Sequence, residues 1–176
     1  QQLRSDDSLL CPVDETPIEA KIQLALDLES ALCKLDKIKS VPYNGFFQNS
    51  NERHVYSTAG LSALSRQQHI GAYAYALAEN GDKNAMSGLG CVERQFKDIN
   101  TAELIEKVSA ESIAMLAGKA IASGQYDVIF DSESQVTLFG VFAMALSAKS
   151  AKDGISPWKD SLGETVADER LNLSDN

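Results

Sequence analysis

The stretch HIGAYAYALAENGDKNAMSGLGCVERQF, residues 69–96, has the clearest strand pattern in the chain. Its alternating residues predict two antiparallel β-strands, and Asn80-Gly81 between them suits the positive φ angles of a type I′ turn. On the first strand, one predicted face carries four alanines, at positions 72, 74, 76 and 78. Tyr73, Tyr75 and Leu77 point to the other face. The small alanine face allows a helix or a second sheet to approach closely.

Two more strand patterns precede this hairpin. VPYNGFFQ, residues 41–48, and RHVYSTAG, residues 53–60, flank the turn-rich segment NSNE, residues 49–52. They are predicted to form a second hairpin. Together the four strands would make an antiparallel meander.

Helical patterns lie on both sides of these strands. Residues 16–37 begin with Thr16 as a predicted N-cap and repeat apolar residues at steps of three and four, with Cys33 on the predicted core face. Residues 100–124 form a second capped pattern, with Asn100 as its N-cap and Gly124 as its stop. Three further elements are predicted to follow. They are a strand at residues 125–131, a helix over residues 132–148 that opens with a capping pair of Ser132 and Gln135, and a strand at the end of residues 165–175.

These patterns predict an α+β fold, with a mainly antiparallel sheet of about four or more strands and helices packed on one face. We predict two domains. Residues 1–123 would form a central α+β domain, and residues 124–176 would begin a truncated C-terminal domain. The N-terminus has no initiator Met and both ends look cut, so an internal piece of a longer protein is expected.

The composition limits the function classes. The 176 residues carry a formal net charge of −9, which repels nucleic-acid phosphates and anionic lipid. The apolar run VTLFGVFAMALSA, residues 136–148, is shorter than the roughly 20 apolar residues that cross a bilayer. The three cysteines are far apart and form no CxxC motif, which favours a cytoplasmic protein with reduced thiols. Direct nucleic-acid contact and membrane insertion are therefore not expected.

The C-terminal third resembles a known family. Three features carry this resemblance: a strand-like YDVIFD, an apolar helix, and the segment Ser161-Leu162-Gly163-Glu164-Thr165-Val166 followed by Leu171-Asn172-Leu173-Ser174-Asp175. Together they are similar to the TldD/PmbA family, also called modulators of DNA gyrase. YSTAG at residues 56–60 and the helix from Thr16 sit where that family has similar features. The likeness is specific over about residues 125–176 and loose elsewhere.

The resemblance implies a pair of related subunits. One is a zinc metallopeptidase with a His-Glu-x-x-x-His helix, in which the two His bind the metal and the Glu acts as base. The other, PmbA or TldE, lacks this motif. Laid onto the present sequence, the three motif positions fall at Phe139, Gly140 and Met144, and residues 132–150 contain no His and only Glu133 as a carboxylate. The chain therefore resembles the PmbA type.

This resemblance implies a subunit without a cofactor of its own, with zinc expected only in a TldD-type partner. The pair would process peptide precursors and degrade small unfolded proteins. Two alternatives stay open: a self-sufficient metallopeptidase whose site lies outside these residues, and a binding domain unrelated to proteolysis. The apolar helix, if uncovered, would also allow the fragment to associate with itself.

Three aromatic residues are candidates for peptide or partner contact. Tyr73 and Tyr75 would either line a peptide groove or belong to an ordinary half-buried sheet face. Trp158 would either anchor an interface, where Trp is enriched, or pack its loop onto its own chain. His54 and His69 lie in predicted strands without neighbouring ligands, so a hydrogen-bonded strand histidine is the favoured interpretation for each.

Overall fold

The computed structural model describes residues 10–171 and 173, and the chain divides into two compact units, Gln1–Ile121 and Ala122–Asn176. In chain order the elements of the first unit are α1 Ile18–Cys33, β1 Ile38–Tyr56, β2 Ser62–Asn80, β3 Lys83–Glu93, a 3₁₀ turn at Phe96–Asp98, and α2 Thr101–Met115. The second unit contains α3 Ser132–Phe142 and α4 Ala148–Lys152.

The sheet is antiparallel with the order β1-β2-β3. β1 pairs with β2 from Ile38↔Ala78 to Tyr56↔Ser62, whereas β3 reaches only from Lys83 to Glu93, which pairs with Ile70. Beyond that point β1 and β2 continue as a two-stranded ribbon. The first unit is thus α+β, as predicted, but its described strands number three.

The predicted turn at residues 49–52 is wrong. β1 runs through this segment, and its polar side chains are exposed on the ribbon, where a strand needs no buried face. The turn comes later, where Ser57 N–H donates to Leu61 O at 3.0 Å and Gly60 has φ 87°. Glycine has no Cβ penalty at this angle, which explains why the chain reverses there.

The helices α1 and α2 pack on the alanine face of β2. All four alanines are completely buried, as are Leu32 and Val108, one from each helix. Because alanine projects little from the sheet, the two helices can lie close to the backbone of β2. The predicted helix-facing surface of this strand is confirmed.

The β2–β3 turn differs from the type predicted. The two residues between the strands are Gly81 and Asp82, and Gly81 alone of the turn has a positive φ, at 64°. A positive φ at the first central position only is the type II′ pattern, not type I′.

Two helix ends in the first unit also differ from prediction. Pro17, not Thr16, is the N-cap of α1, and the Thr16 hydroxyl donates instead to Asp14 Oδ1 at 2.7 Å. Asn100 caps α2 as predicted, accepting from Glu103 N–H at 3.2 Å, but α2 ends at Met115, well before Gly124. Cys33, expected in the core, is exposed at the last position of α1.

In the second unit, α3 begins at Ser132 as predicted, but its N-cap lies one residue earlier than expected. Asp131 is the N-cap of α3 and accepts from Ser134 N–H at 2.7 Å, and the hydrogen bonds from Ser134 lower the pKa of this carboxyl. Asp131 therefore replaces the expected pair of Ser132 and Gln135. α3 ends at Phe142, so the predicted continuation to residue 148 is wrong. Turns follow up to Ser147, where α4 is capped.

Neither predicted strand of the second unit forms within the described residues. Residues 125–131 have no regular secondary structure and are exposed, with 97% of Ile129 accessible. Leu171 and Leu173 are likewise outside any strand. The rest of the expected terminal strand, at residues 172, 174 and 175, lies outside the described residues.

No helix within residues 10–171 has both the length and the hydrophobicity needed to cross a membrane.

Candidate functional site

The three positions aligned with the zinc motif lie on α3 and just beyond it. Phe139 and Gly140 are in the helix, whereas Met144 lies two residues past its last residue and is 65% exposed. The space around Gly140 is open, since a Cβ built there meets no atom within 4 Å. The helical framework expected for all three positions therefore holds for the first two only.

These residues do not fit a zinc ion. Phenylalanine and glycine side chains have no donor atom, and a methionine thioether prefers softer metals than Zn²⁺. Across residues 10–171 and 173, no group of three His, Cys, Asp or Glu side chains is placed to hold a metal ion. No step of metal chemistry is therefore assigned to this chain.

Phe139 instead lines an apolar cavity of about 330 Å³ within the second unit. The cavity's other lining residues are Phe142, Leu146, Trp158, Val166, Ala167, Leu171 and Leu173. The Trp158 ring stacks on Phe142 with a centroid distance of 6.2 Å and an angle of 9°. The structure thus brings Phe139 and Trp158 to one cavity and packs Trp158 onto its own chain.

Trp158 is held from the backbone side as well. Ser156 is buried, its hydroxyl donates to Ala145 O at 2.7 Å, and its Oγ accepts from Trp158 N–H at 3.1 Å. Ser156 therefore ties the loop that carries Trp158 to the turn after α3. A polar side chain with two loop partners restricts the position of the indole.

Tyr73 and Tyr75 lie in the first unit, on the face of the sheet opposite the helices. They are 37% and 40% exposed. The Tyr73 ring covers Gly45 of β1, where a Cβ would lie 2.9 Å from the hydroxyl oxygen, and the Tyr75 ring covers Gly88 of β3. Tyr43 meets Tyr75 edge-on with ring centroids 6.1 Å apart. These tyrosines form a half-exposed sheet face and are not walls of a deep groove.

The two histidines have ordinary surroundings. His54 Nε2 lies 2.9 Å from Glu52 Oε1, and the imidazole stacks on Tyr56. Glu52 also accepts from Arg66, and these hydrogen bonds from His54 and Arg66 lower the pKa of its carboxyl. His69 lines an open polar cavity of about 440 Å³ beside Glu93 and Arg94.

A buried polar cluster was missed by the sequence reasoning. Lys21 of α1 is 7% exposed, with its Nζ 2.5 Å from Asp14 Oδ2 and 2.7 Å from Gln48 Oε1. Burial raises the pKa of the Asp14 carboxyl, but hydrogen bonds from Lys21 and Thr16 and the Lys21 charge lower it more, and the result lies below the ordinary value. Lys21 lies one turn from Leu24 and two turns from Leu28 on the same side of α1, and this position among apolar residues was the available sequence signal.

Gln68 extends this cluster to the end of β3. Its side chain is buried, its Nε2 donates to Arg94 O at 2.9 Å, and its Oε1 accepts from Ser50 Oγ at 3.1 Å and from Asp14 N–H at 3.4 Å. The cluster fastens the segment before α1 to the sheet where β3 ends. Its role is structural, because its buried side chains join the segment before α1 to β1, β2 and the residue after β3.

Comparison with family models assigns both units. The model described as the PmbA/TldA metallopeptidase central domain matches residues 11–116, and the one described as the PmbA/TldA metallopeptidase C-terminal domain matches residues 123–176. These matches cover most of the chain, including the segments that carried the sequence resemblance. The chain belongs to the PmbA/TldD metallopeptidase family.

Solved structures share the fold. A candidate modulator of a DNA gyrase from Thermotoga maritima matches 93% of the chain with a TM-score of 0.83 and 21% identity. A candidate modulator of DNA gyrase from Bacteroides thetaiotaomicron matches 95% with a TM-score of 0.76 and 18% identity. The chain spans 38% and 41% of the length of these two proteins, about two fifths. No curated protein matches the chain.

Proposed function

We propose that this chain is part of a PmbA/TldE-type subunit that has no catalytic zinc and pairs with a TldD-type zinc metallopeptidase. The pair would act in the cytoplasm on unfolded peptides, in peptide maturation and in degradation of small unfolded proteins. The supporting observation is the set of side chains on α3 and just after it. Within a metallopeptidase family, Phe139 and Met144 stand where the two zinc ligands are expected and Gly140 where the catalytic base is expected, and none of the three suits its role.

The surroundings of α3 support a packing role for it. Its apolar side chains point in all directions and none is buried within the described residues, as Val136 and Val141, each 73% exposed, illustrate. An apolar helix of this kind requires a cover. We assign that cover in part to the TldD-type partner, with Trp158 at the edge of the contact. Zinc then belongs to the partner alone.

Tyr73 and Tyr75 are the second proposed contact. Tyrosine offers a large apolar ring with a polar hydroxyl, which suits binding of polypeptide without a fixed sequence. The free thiols of Cys11, Cys33 and Cys91 agree with the proposed cytoplasmic location. Neither role involves a covalent step by this chain.

Co-expression with a TldD-type metallopeptidase tests the proposal. We expect co-purification of the two chains, and cleavage of a denatured model substrate such as reduced casein by the pair, inhibited by chelator. Val141→Asp should weaken co-purification because it places a charge on an exposed apolar position of α3. Glu133→Asp, at the start of the same helix, is the control that keeps the charge unchanged.

Three results would reject the proposal. The first is chelator-sensitive cleavage by the chain without a partner, which would favour a self-sufficient metallopeptidase. The second is stoichiometric zinc in the isolated chain that is lost in Met144→Ala. The third is a folded chain that does not associate with any TldD-type subunit, which would favour a binding domain unrelated to proteolysis.

A further inference from the structure

The outer face of the sheet, opposite the helices, carries an uncharged aromatic surface. Strand pairing places four rows next to each other on this face: Leu77–Met86, Tyr43–Tyr75–Gly88, Gly45–Tyr73–Gly90 and Phe47–Gly71–Val92. These rows contain no Asp, Glu, Lys or Arg, although the chain as a whole carries a formal net charge of −9. Because the surface offers no partner for an ion pair, it suits an uncharged ligand.

One pair of rings on this surface forms a corner. The Tyr75 ring lies over Gly88, since a Cβ built at this glycine would overlap the ring carbons. The Tyr43 ring makes an angle of 87° with the Tyr75 ring, with the centroids 6.1 Å apart, and 61% of Tyr43 is exposed. A flat ring with an upright ring beside it provides two apolar surfaces at a right angle, against which a compact apolar side chain packs.

The tyrosine hydroxyls of this surface are available as donors. In the part of the chain that the structure describes, no hydrogen bond joins the hydroxyl of Tyr43, Tyr73 or Tyr75 to another residue. By contrast, the Tyr126 hydroxyl donates to Ala122 O at 2.7 Å. Each of the three hydroxyls can therefore donate to a carbonyl oxygen of a ligand.

A polypeptide on this surface meets aromatic rings and not the free edge of a strand. β2 is paired on both sides along these rows, so its backbone groups are already bonded. A bound residue with a backbone N–H would lose hydration over the rings, and an unpaired N–H is costly. Proline has no N–H, and its carbonyl accepts from a tyrosine hydroxyl. A polyproline II segment keeps every carbonyl free, because it has no internal hydrogen bonds.

The length of the surface agrees with a short segment of this kind. The rows from Leu77 to Gly71 extend along six residues of β2, or about 20 Å at roughly 3.3 Å per residue. A polyproline II segment rises about 3.1 Å per residue, so about six or seven prolines cover the same distance. Aromatic surfaces that bind such segments are a recurring mode of peptide recognition.

We infer that this surface binds proline-containing polypeptide segments in the polyproline II conformation, with a proline ring in the corner of Tyr43 and Tyr75 and tyrosine hydroxyls donating to carbonyls. The inference rests on the proposed polypeptide contact of Tyr73 and Tyr75 and names the segments that this contact favours. It concerns binding by the first unit alone, whereas pairing with a TldD-type metallopeptidase and cleavage are measured separately. Failure of proline binding with intact pairing and cleavage would overturn this inference but not the proposed function.

Titration of the isotope-labelled 176-residue chain with a capped decaproline peptide, followed by NMR, tests the inference. We expect saturable shifts confined to residues near Tyr43, Tyr73 and Tyr75. A capped peptide of the same length with alternating alanine and serine is equally uncharged but has an N–H at every residue. It should bind at least about tenfold more weakly, because its N–H groups lose hydration over the rings.

Three variants test the corner itself. Tyr43→Ala removes the upright ring and should weaken decaproline binding at least about tenfold. Tyr75→Phe keeps the ring over Gly88 but removes its hydroxyl, and should weaken binding about threefold to fivefold. Tyr56→Ala, at a 71% exposed tyrosine outside these rows, is the matched control and should bind like the parent chain. Circular dichroism verifies that each variant is folded.

Several results would overturn the inference. They are the absence of saturable decaproline binding up to about 1 mM, equal binding of the alanine–serine peptide, and shifts centred on the second unit. A loss in Tyr56→Ala as large as that in Tyr43→Ala would also contradict it, and if Tyr43→Ala does not fold, the comparison of Tyr75→Phe with Tyr56→Ala replaces this one. A parent chain that dimerises, and no longer does so in Tyr75→Phe, would assign the surface to a second copy instead.

Discussion

The two units of this chain differ in how much apolar surface they bury. In the first unit, a core cluster joins both helices to the alanine face of β2, and Leu32, Val108 and the alanines have no exposed area. In the second unit, Ser156 is the one buried residue among those described. Its apolar residues instead line the cavity beside Trp158 or face outward. The first unit therefore buries its own apolar core. The second unit exposes apolar residues that no described part of it covers.

The difference follows from sequence periodicity. α1 and α2 are amphipathic, with apolar residues at steps of three and four, so one face of each can be buried by one sheet. α3 is apolar on every side, and no single neighbour can cover it. Apolar burial stabilises by roughly 25 cal/mol per Å². Substitutions should therefore change stability strongly in the first unit and weakly in the second.

The largest effect is expected at Leu32, in the core of the first unit. Leu32→Ala removes a side chain with no exposed area and leaves a cavity against β2. Such truncations cost about 2–5 kcal/mol. Chemical denaturation followed by circular dichroism measures the loss. Leu26→Ala, at a 54% exposed position of the same helix, should stay within about 0.5 kcal/mol. Equal losses in the two variants would contradict the assignment of this core.

A smaller loss is expected where a ring covers a glycine. Gly88→Ala places a Cβ into the Tyr75 ring, which must then move off the sheet. Overpacking of this kind costs about 1–3 kcal/mol. Gly90→Ala is the control on the same strand, since its Cβ would have its nearest contacts at 3.4 Å. The difference between the two midpoints in urea checks the prediction, and a Gly90→Ala variant as unstable as Gly88→Ala would argue against the flat ring position.

Acid should weaken the first unit through Asp14 by a smaller amount. Its pKa is lowered from the ordinary value of 3.8, because the bonds from Lys21 and Thr16 outweigh the effect of burial. A lowered folded-state pKa stabilises above the unfolded value and loses this contribution as pH falls through the folded one. Thr16→Val removes one donor, so the contribution should be smaller and its loss should be complete at a higher pH. Stability measured between pH 6 and about 2 tests this, and an unchanged acid transition in Thr16→Val would count against it.

Much of the first unit was predictable because its signals are local. The alanine alternation and the Asn100 cap each depend on residues close in sequence. The predicted stripe of α1 is confirmed only at Leu28 and Leu32, because Ile18 and Ile22 are 61% and 55% exposed. The length of β1 was not predictable, since NSNE has a turn composition and only its pairing with β2 makes it a strand. Tyr73 and Tyr75 were named as candidate contact residues from the sequence. Tyr43 and Phe47 lie beside them only because of the register between β1 and β2, and the glycines on the neighbouring strands are the sequence sign of that close packing.

The second unit was harder to predict for a physical reason. An apolar run without periodicity fixes neither the end of a helix nor the residue that caps it. The helix therefore ends at Phe142, earlier than expected, and Met144 lies outside it. Strand patterns at residues 125–131 require a pairing edge, which depends on other segments. The family was nevertheless identifiable, because its signature lies in consecutive residues from Ser161 onward.

The smallest effect is expected at the surface of α3. Val141 is 73% exposed, so Val141→Ser removes little buried area, and the free energy of unfolding should change by no more than about 0.5 kcal/mol. Denaturation of the isolated chain measures this directly. If the exposed helix is instead a contact surface, the same variant should reduce association with a TldD-type subunit while its stability is preserved. A destabilisation as large as that of Leu32→Ala would show that α3 is covered within the isolated chain, and the contrast between the two units would then no longer hold.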